Sequence, residues 1–228
     1  MSRTYFDQQS FEFLNKLAKN NQRDWFQTHK QQYEDQVRGP ALALITDMAD
    51  SLAMISPHFL ALPKKVGGSM MRPFRDTRFS KDKSPYKTNV GIQFRHEMGK
   101  DVHAPGFYLH VEPGNCFLGV GIWRPDSLAL NKIRTRIDEH SEQWLAAINN
   151  SDFAKQFHLD GDCLKNAPRA YAKDHPLLEH LKRKDFIAMQ NVDDAWMQQA
   201  NLCRHISKQF ELASPLMQFL CKALELRF

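Results

Sequence analysis

The chain has 228 residues, 42% hydrophobic and 25% charged, long enough to bury a core without disulfides or metals. No apolar run approaches the ~20 residues that a bilayer-crossing helix needs, and four cysteines without CxxC spacing exclude both a zinc ribbon and a disulfide framework. The formal net charge of +5 is a modest surplus that admits an anionic partner without demanding one.

In chain order, Phe13, Leu14 and Leu17 predict a short helix over 10–19, broken at Asn20-Asn21. Its leader, MSRTYFDQQS, lacks the build of a signal peptide, so a cytoplasmic protein is expected. Asn21 is the expected N-cap of a second helix, in which Trp25, Phe26, His29, Tyr33 and Val37 recur at helical spacing. Gly39-Pro40 is expected to stop or kink it, and Ala41, Ile45, Met48 and Leu52 carry a third stripe.

The period then changes. A strand is expected over 69–75, and Thr88, Val90, Ile92 and Phe94 alternate with polar or small residues as a half-buried strand. Phe107, Leu109 and Val111 alternate with Tyr108, His110 and Glu112, and residues 116–123 form a third strand, joined to the second by the turn at 112–115. Asp126 is the expected N-cap of a helix carrying Leu130, Ile133, Ile137, Trp144 and Ile148 on one side. Residues 151–192 are less regular, with a short helix near 177–183 and a strand at 185–190. Residues 193–226 read as two helices divided at Ser214-Pro215. Helices before and after a block of strands are the α+β pattern. One domain over 1–228 is expected, with a central, mainly antiparallel sheet and helices from both chain ends packed on it. Trp25, Phe26, Ile133 and Ile137 are expected to be buried.

The most unusual stretch is RPFRDTRFSKDKSPYK, residues 72–87. Arg72, Arg75, Arg78, Lys81, Lys83 and Lys87 face only two acids, Asp76 and Asp82, which leaves +4 here out of the chain's +5. Exposed ion pairs are each worth only ~0–1 kcal/mol, so stability is a weak reason for gathering six cations. Arginine forks bind phosphate and carboxylate well, and Phe74, Phe79 and Tyr86 interleave with them. Arg72, Arg75, Arg78, Lys83 and Lys87 are therefore expected to bind an anion. Arg124, in GIWRPD between a strand and a helix, is expected to form the far wall of the same concave site. Arg169, in NAPRAY at 166–171, has a similar loop setting with a weaker signal. Asp76 or Asp82 are candidate general bases or oxygen ligands, and Tyr108 and His110 candidate proton carriers on the polar face of their strand. Without a binding role the same loop reads as an ion-paired collar around a sheet edge.

No P-loop, GxGxxG, GxSxG or HExxH motif is present, so no cofactor is identifiable. His96, His103 and His110 recur every seventh residue, which is not a usual ligand spacing, and no metal site is expected. Cys116 has no evident partner base that would make it a nucleophile.

Four stretches together resemble a known family: FEFLNKLAKNNQRDWFQTHKQQYE, MRPFRDTRFSKDKSPYKTNVG, PGFYLHVEPGNCFLGVGIWRPD and LKNAPRAYAKDHPLLEHLKRKDF. They run in order over roughly residues 10–220 and are similar to domain of unknown function 2461. The resemblance implies a single domain of this length and assigns no catalytic residue. From the residues themselves, the leading expectation is a binder of a phosphorylated or other anionic small molecule, with an enzymatic role left open. A nucleic-acid-binding module and a scaffold docking an acidic partner are the alternatives, and no membrane partner is expected.

Overall fold

The computed structural model describes residues 3–99 and 104–228. The N-terminal third is helical: α1 (Gln8–Lys19), α2 (Arg23–Thr28), α3 (Lys30–Tyr33), a π-helical turn at Glu34–Arg38, α4 (Gly39–Asp47) and α5 (Ala49–Ile55). Asp7 caps α1 by accepting from the Ser10 N–H, with the Ser10 hydroxyl accepting in return from the Asp7 N–H. Gly39-Pro40 does not end the helical run. The π turn absorbs the irregularity, and Pro40 falls in the first turn of α4, where its missing N–H costs nothing. Asn21 does not cap α2; Gln22 holds that position without a side-chain bond.

Five strands follow among the described residues: β1 (Val90–Arg95), β2 (Gly106–Val111), β3 (Cys116–Ile122), β4 (His158–Asp160) and β5 (Phe186–Val192). They pair antiparallel throughout, in the order β1-β2-β3-β5-β4. Between and after them come α6 (Ser127–Glu139), α7 (Ser141–Asn149), α8 (Ser151–Gln156), α9 (Leu178–Leu181), α10 (Asp194–Met197), α11 (Leu202–Leu212) and α12 (Ser214–Ala223). Asp126 caps α6 by accepting from the Ala129 N–H. The expected single helix from 127 to 148 is two, parted at His140. Residues 69–75 form no full strand. They run beside β1 through isolated bridges, Met70 to Ile92 and Phe74 to Tyr86, and close an antiparallel hairpin whose tip is the basic stretch.

One face of the sheet builds the core. Val90, Ile92 and Phe94, then Phe107, Leu109 and Val111, then Leu118, Val120 and Ile122 are all buried against helices from both ends of the chain. Phe210 of α11 packs on Phe94 and Phe107, at ring separations of 6.2 and 4.7 Å. Phe26, Ile133 and Ile137 lie in this core, and Trp25 packs half-buried at its edge. The fold is thus α+β, an antiparallel sheet with helices from both chain ends. The opposite face alternates out of the core. Successive cross-strand rows read Gly91, His110, Phe117, Asn191 and then Gln93, Tyr108, Gly119, Met189, and every side chain in them keeps some contact with solvent. No helix among the described residues is long and apolar enough to cross a membrane.

Candidate functional site

The basic hairpin is pinned at its base. The Asn21 amide donates to the Tyr86 carbonyl at 2.9 Å and accepts from the Tyr86 N–H at 3.0 Å. The Tyr86 ring, fully buried, stacks on Phe26 at 4.0 Å. Asn21 therefore acts as a surrogate strand partner, which is why it is unavailable as a helix cap. Beyond this clamp the hairpin extends outward past the start of β1.

Its charged residues divide into three settings. At the tip, Arg78 grips Asp76 through two bonds of 3.0 and 2.7 Å, both residues well exposed, and lies over the fully exposed Phe79 ring. The Arg78 bonds, side chain first and then backbone, hold the Asp76 carboxyl at about 2. Along one side, Arg75 pairs with Asp82, and the Lys83 ammonium donates to the Thr77 carbonyl at 2.9 Å. Bonds from Ser84 and then Arg75 hold Asp82 well below the carboxylate range. Carboxylates so acidic are weak bases, and both are already occupied by donors within the hairpin, which argues against the general-base role expected for them. Arg75 and Lys83 also line a cleft of ≈ 630 Å³ against the start of α2, which adds Arg23, Gln22 and Gln27.

The third setting lies at the hairpin's base, on the half-exposed sheet face. There Lys87 lies half-buried and feels the charge of the exposed Arg72, which also acts on Asp76. Among the described residues the one polar contact of the Lys87 ammonium is the Met71 sulfur at 4.0 Å. Burial lowers its pKa, and the Arg72 charge lowers it further. Lys87 in turn acts on His110.

His110 belongs to a polar chain along β2. Tyr108, His110 and Glu112 are spaced by two, so the pleat puts all three on one face. The His110 Nε2 lies 3.2 Å from Glu112 Oε2, and Nδ1 lies 3.1 Å from the Tyr108 hydroxyl and 3.4 Å from the Asn89 amide nitrogen. A carboxylate only accepts, so Nε2 carries the proton and Nδ1 offers one lone pair to two donors. The Phe117 ring stacks on the imidazole at 4.5 Å and fixes its plane. Glu112 is held in turn by the Thr88 hydroxyl and the Asn115 amide, each at 2.8 Å.

Burial lowers the His110 pKa, against the opposing hydrogen bond and charge of Glu112. Burial also works to raise Glu112, but bonds from Asn115, Thr88 and His110 outweigh it and the net shift is downward. Tyr108 is pushed up to about 12 by burial, then by the Glu112 charge. At neutral pH the chain is therefore phenol, neutral imidazole and carboxylate. Gly91 makes room for it. A Cβ there would stand 2.7 Å from the Tyr108 hydroxyl and 3.0 Å from the Met71 sulfur.

Arg124 does not join this site. It follows β3, whose seven residues span about 20 Å and whose first residues pair beside the hairpin's end of the sheet, so Arg124 stands at the far end. Its backbone takes φ 50, its N–H donates to Asp185 at 2.7 Å, and its guanidinium covers the Trp123 ring at 4.6 Å. Arg124 thus serves a strand-to-helix corner organised by the buried Asp185, which also accepts from the Asp162 N–H. The four arginines Arg72, Arg75, Arg78 and Arg124 therefore do not meet in one concavity.

Cys116 is buried, and its thiol is pushed up to about 12 by burial first, which keeps it protonated and a poor nucleophile. His96 is buried, with Nε2 at 2.9 Å from the Arg227 carbonyl. His103 lies outside the described residues. Glu112 is the residue that sequence reasoning missed; its signal was the same alternation that exposed Tyr108 and His110, continued by two residues.

The family described as conserved hypothetical protein DUF2461 matches residues 9–219. The chain belongs to that family. No curated protein and no solved structure matches it. Membership in DUF2461 covers the hairpin, the polar chain on β2 and the corner at Asp185 alike.

Proposed function

We propose that this DUF2461 protein binds a small anionic molecule, such as a phosphate ester, at the base of the basic hairpin against the half-exposed sheet face. Arg72 and Lys87 hold the charge, and Tyr108 stands beside it as a hydrogen-bond donor. The observation that carries the reading is Lys87: an ammonium partly withdrawn from water, next to a second cation, with a thioether as its one polar contact among the described residues. Such a group gains most from an anion supplied from outside. Tyr108 supports it. When the Asn89 amide takes the His110 lone pair, the phenol is free to turn its proton to a ligand; when the amide lets go, that lone pair accepts from the phenol again.

The test is thermal unfolding with inorganic phosphate, phosphate monoesters, nucleotides and small carboxylates at constant ionic strength. A class that raises the Tm of the native protein and fails to raise that of Lys87→Met supports the reading. No rise with any class overturns it. Tyr108→Phe then separates the two contributions, since it keeps both cations and removes only the phenol hydroxyl.

A second reading rests on the hairpin tip, where an exposed Phe79 ring beside Arg78 suits stacking on a nucleic-acid base. Binding of single strands that weakens steeply with salt and is lost in Phe79→Ser would favour it.

A further inference from the structure

The loop after β4 covers α6 and leaves a recess of ≈ 590 Å³, which shares no lining residue with the hairpin's cleft. Three cations line it, Arg134, Lys165 and Arg169, and no aspartate or glutamate does. Arg134 projects from the middle of α6 and is only 6% exposed. One of its Nη groups donates to the Arg183 carbonyl at 2.9 Å, while its buried Nε–H has no acceptor. Burial pushes its pKa down, and the group that opposes this is the Tyr171 phenol rather than a carboxylate. Arginine does not shed its proton near neutral pH, so Arg134 stays a buried cation with no counter-ion among the described residues. A buried charge is costly unless it is paired and hydrogen-bonded.

We infer that this recess is a second binding site, for a small organic anion whose carboxylate or phosphate head meets Arg134 while its body rests on Leu164 and Pro168. The Arg183 carbonyl holds the guanidinium in place, so the charge that lines the recess is preorganised for the head. Asn131 and Asn166 supply amides at the walls, and Lys165 and Arg169, both exposed, stand at the rim to attract the ligand. The apolar wall favours an organic anion over a bare inorganic one. The NAPRAY segment thus has a role that the hairpin does not share, and this inference stands independently of the one at Lys87.

The experiment is a titration of the full chain with phenyl phosphate, benzoate and inorganic phosphate, followed by the ¹⁵N–¹H resonance of the Arg134 Nε–H. A saturable shift with phenyl phosphate or benzoate at lower concentration than with inorganic phosphate is expected. Lys165→Ser/Arg169→Ser should weaken it by about tenfold, the loss of two exposed charges at the rim together. Both positions are exposed, so folding is not at stake. Arg134→Met, similar in volume, should fold and abolish binding, while Lys87→Met should leave it unchanged. The inference is overturned by the absence of a saturable shift with all three probes, or by binding that the rim double variant leaves intact. Loss of binding in Lys87→Met would overturn it too, by assigning the anion to the hairpin site instead.

Discussion

Lys87 and Arg72 repel each other in the empty protein, and nothing in the fold requires both charges for packing. Lys87→Met is therefore expected to leave the unfolding free energy unchanged or to raise it by about 0.5 kcal/mol, a small gain because water still screens half of the side chain. Anion affinity should fall about tenfold in the same variant. Urea unfolding without ligand checks the first part; a marked loss of stability would mean that Lys87 is structural. Arg78→Ala makes a companion control. Its pair with Asp76 is exposed, so the urea midpoint should hardly move. The setting of a charge here depends on depth: Arg78 is exposed at the tip, Lys87 half-buried at the base and Arg134 buried on α6.

At the scale of elements, the hairpin is shaped by two contacts that propensity does not foresee. Asn21 replaces a strand partner for Tyr86, so Asn21→Ala should cost about 1–3 kcal/mol by leaving the Tyr86 backbone groups unpaired. It should also loosen the hairpin, which faster amide exchange at Tyr86 and Lys87 would report. Gly91 leaves the space that the Tyr108 hydroxyl occupies. Gly91→Ala should destabilise by about 1–3 kcal/mol through overpacking, and Tyr108→Phe in the same chain should recover most of that. Simple additivity of the two substitutions would show that the crowding lies with Met71 instead. Strand β2 thus carries two programs at once. Its odd residues Phe107, Leu109 and Val111 make the core, and its even residues Tyr108 and His110, with Glu112 at its end, make the polar chain.

For the molecule as a whole, stability should fall on mild acidification. Burial sets both His110 and His180 below their ordinary value of 6.5, so the unfolded chain binds protons first as pH drops through that value. The stability these neutral imidazoles contribute is complete above about pH 6.5 and is lost as pH falls toward their folded values. Glu112, also depressed, loses its contribution only below its ordinary 4.5. The urea midpoint should thus be lower at pH 5.5 than at 7.5, and His110→Gln should narrow that gap. An equal gap in the variant would show that His110 titrates alike in both states.

The sequence by itself determined the order and kind of most elements, because helical stripes such as Ala41, Ile45, Met48 and Leu52 and the alternation of β2 are local consequences of burying one face. It also marked the basic hairpin, since an accumulation of like charge needs no tertiary knowledge to be noticed. Boundaries gave way where tertiary contacts competed with local ones: Asn21 bonded a distant backbone rather than its own helix, and Gly39-Pro40 was carried through by a π turn. Only the tertiary structure decided which charges share a site. An antiparallel strand carries its two ends some 20 Å apart, so Arg124 and Lys87, both beside the sheet in sequence, stand at opposite ends of it. The same folding set Lys87 near His110 and buried Arg134 with no counter-ion among the described residues, because charge proximity in three dimensions follows from strand register and helix packing, not from spacing along the chain.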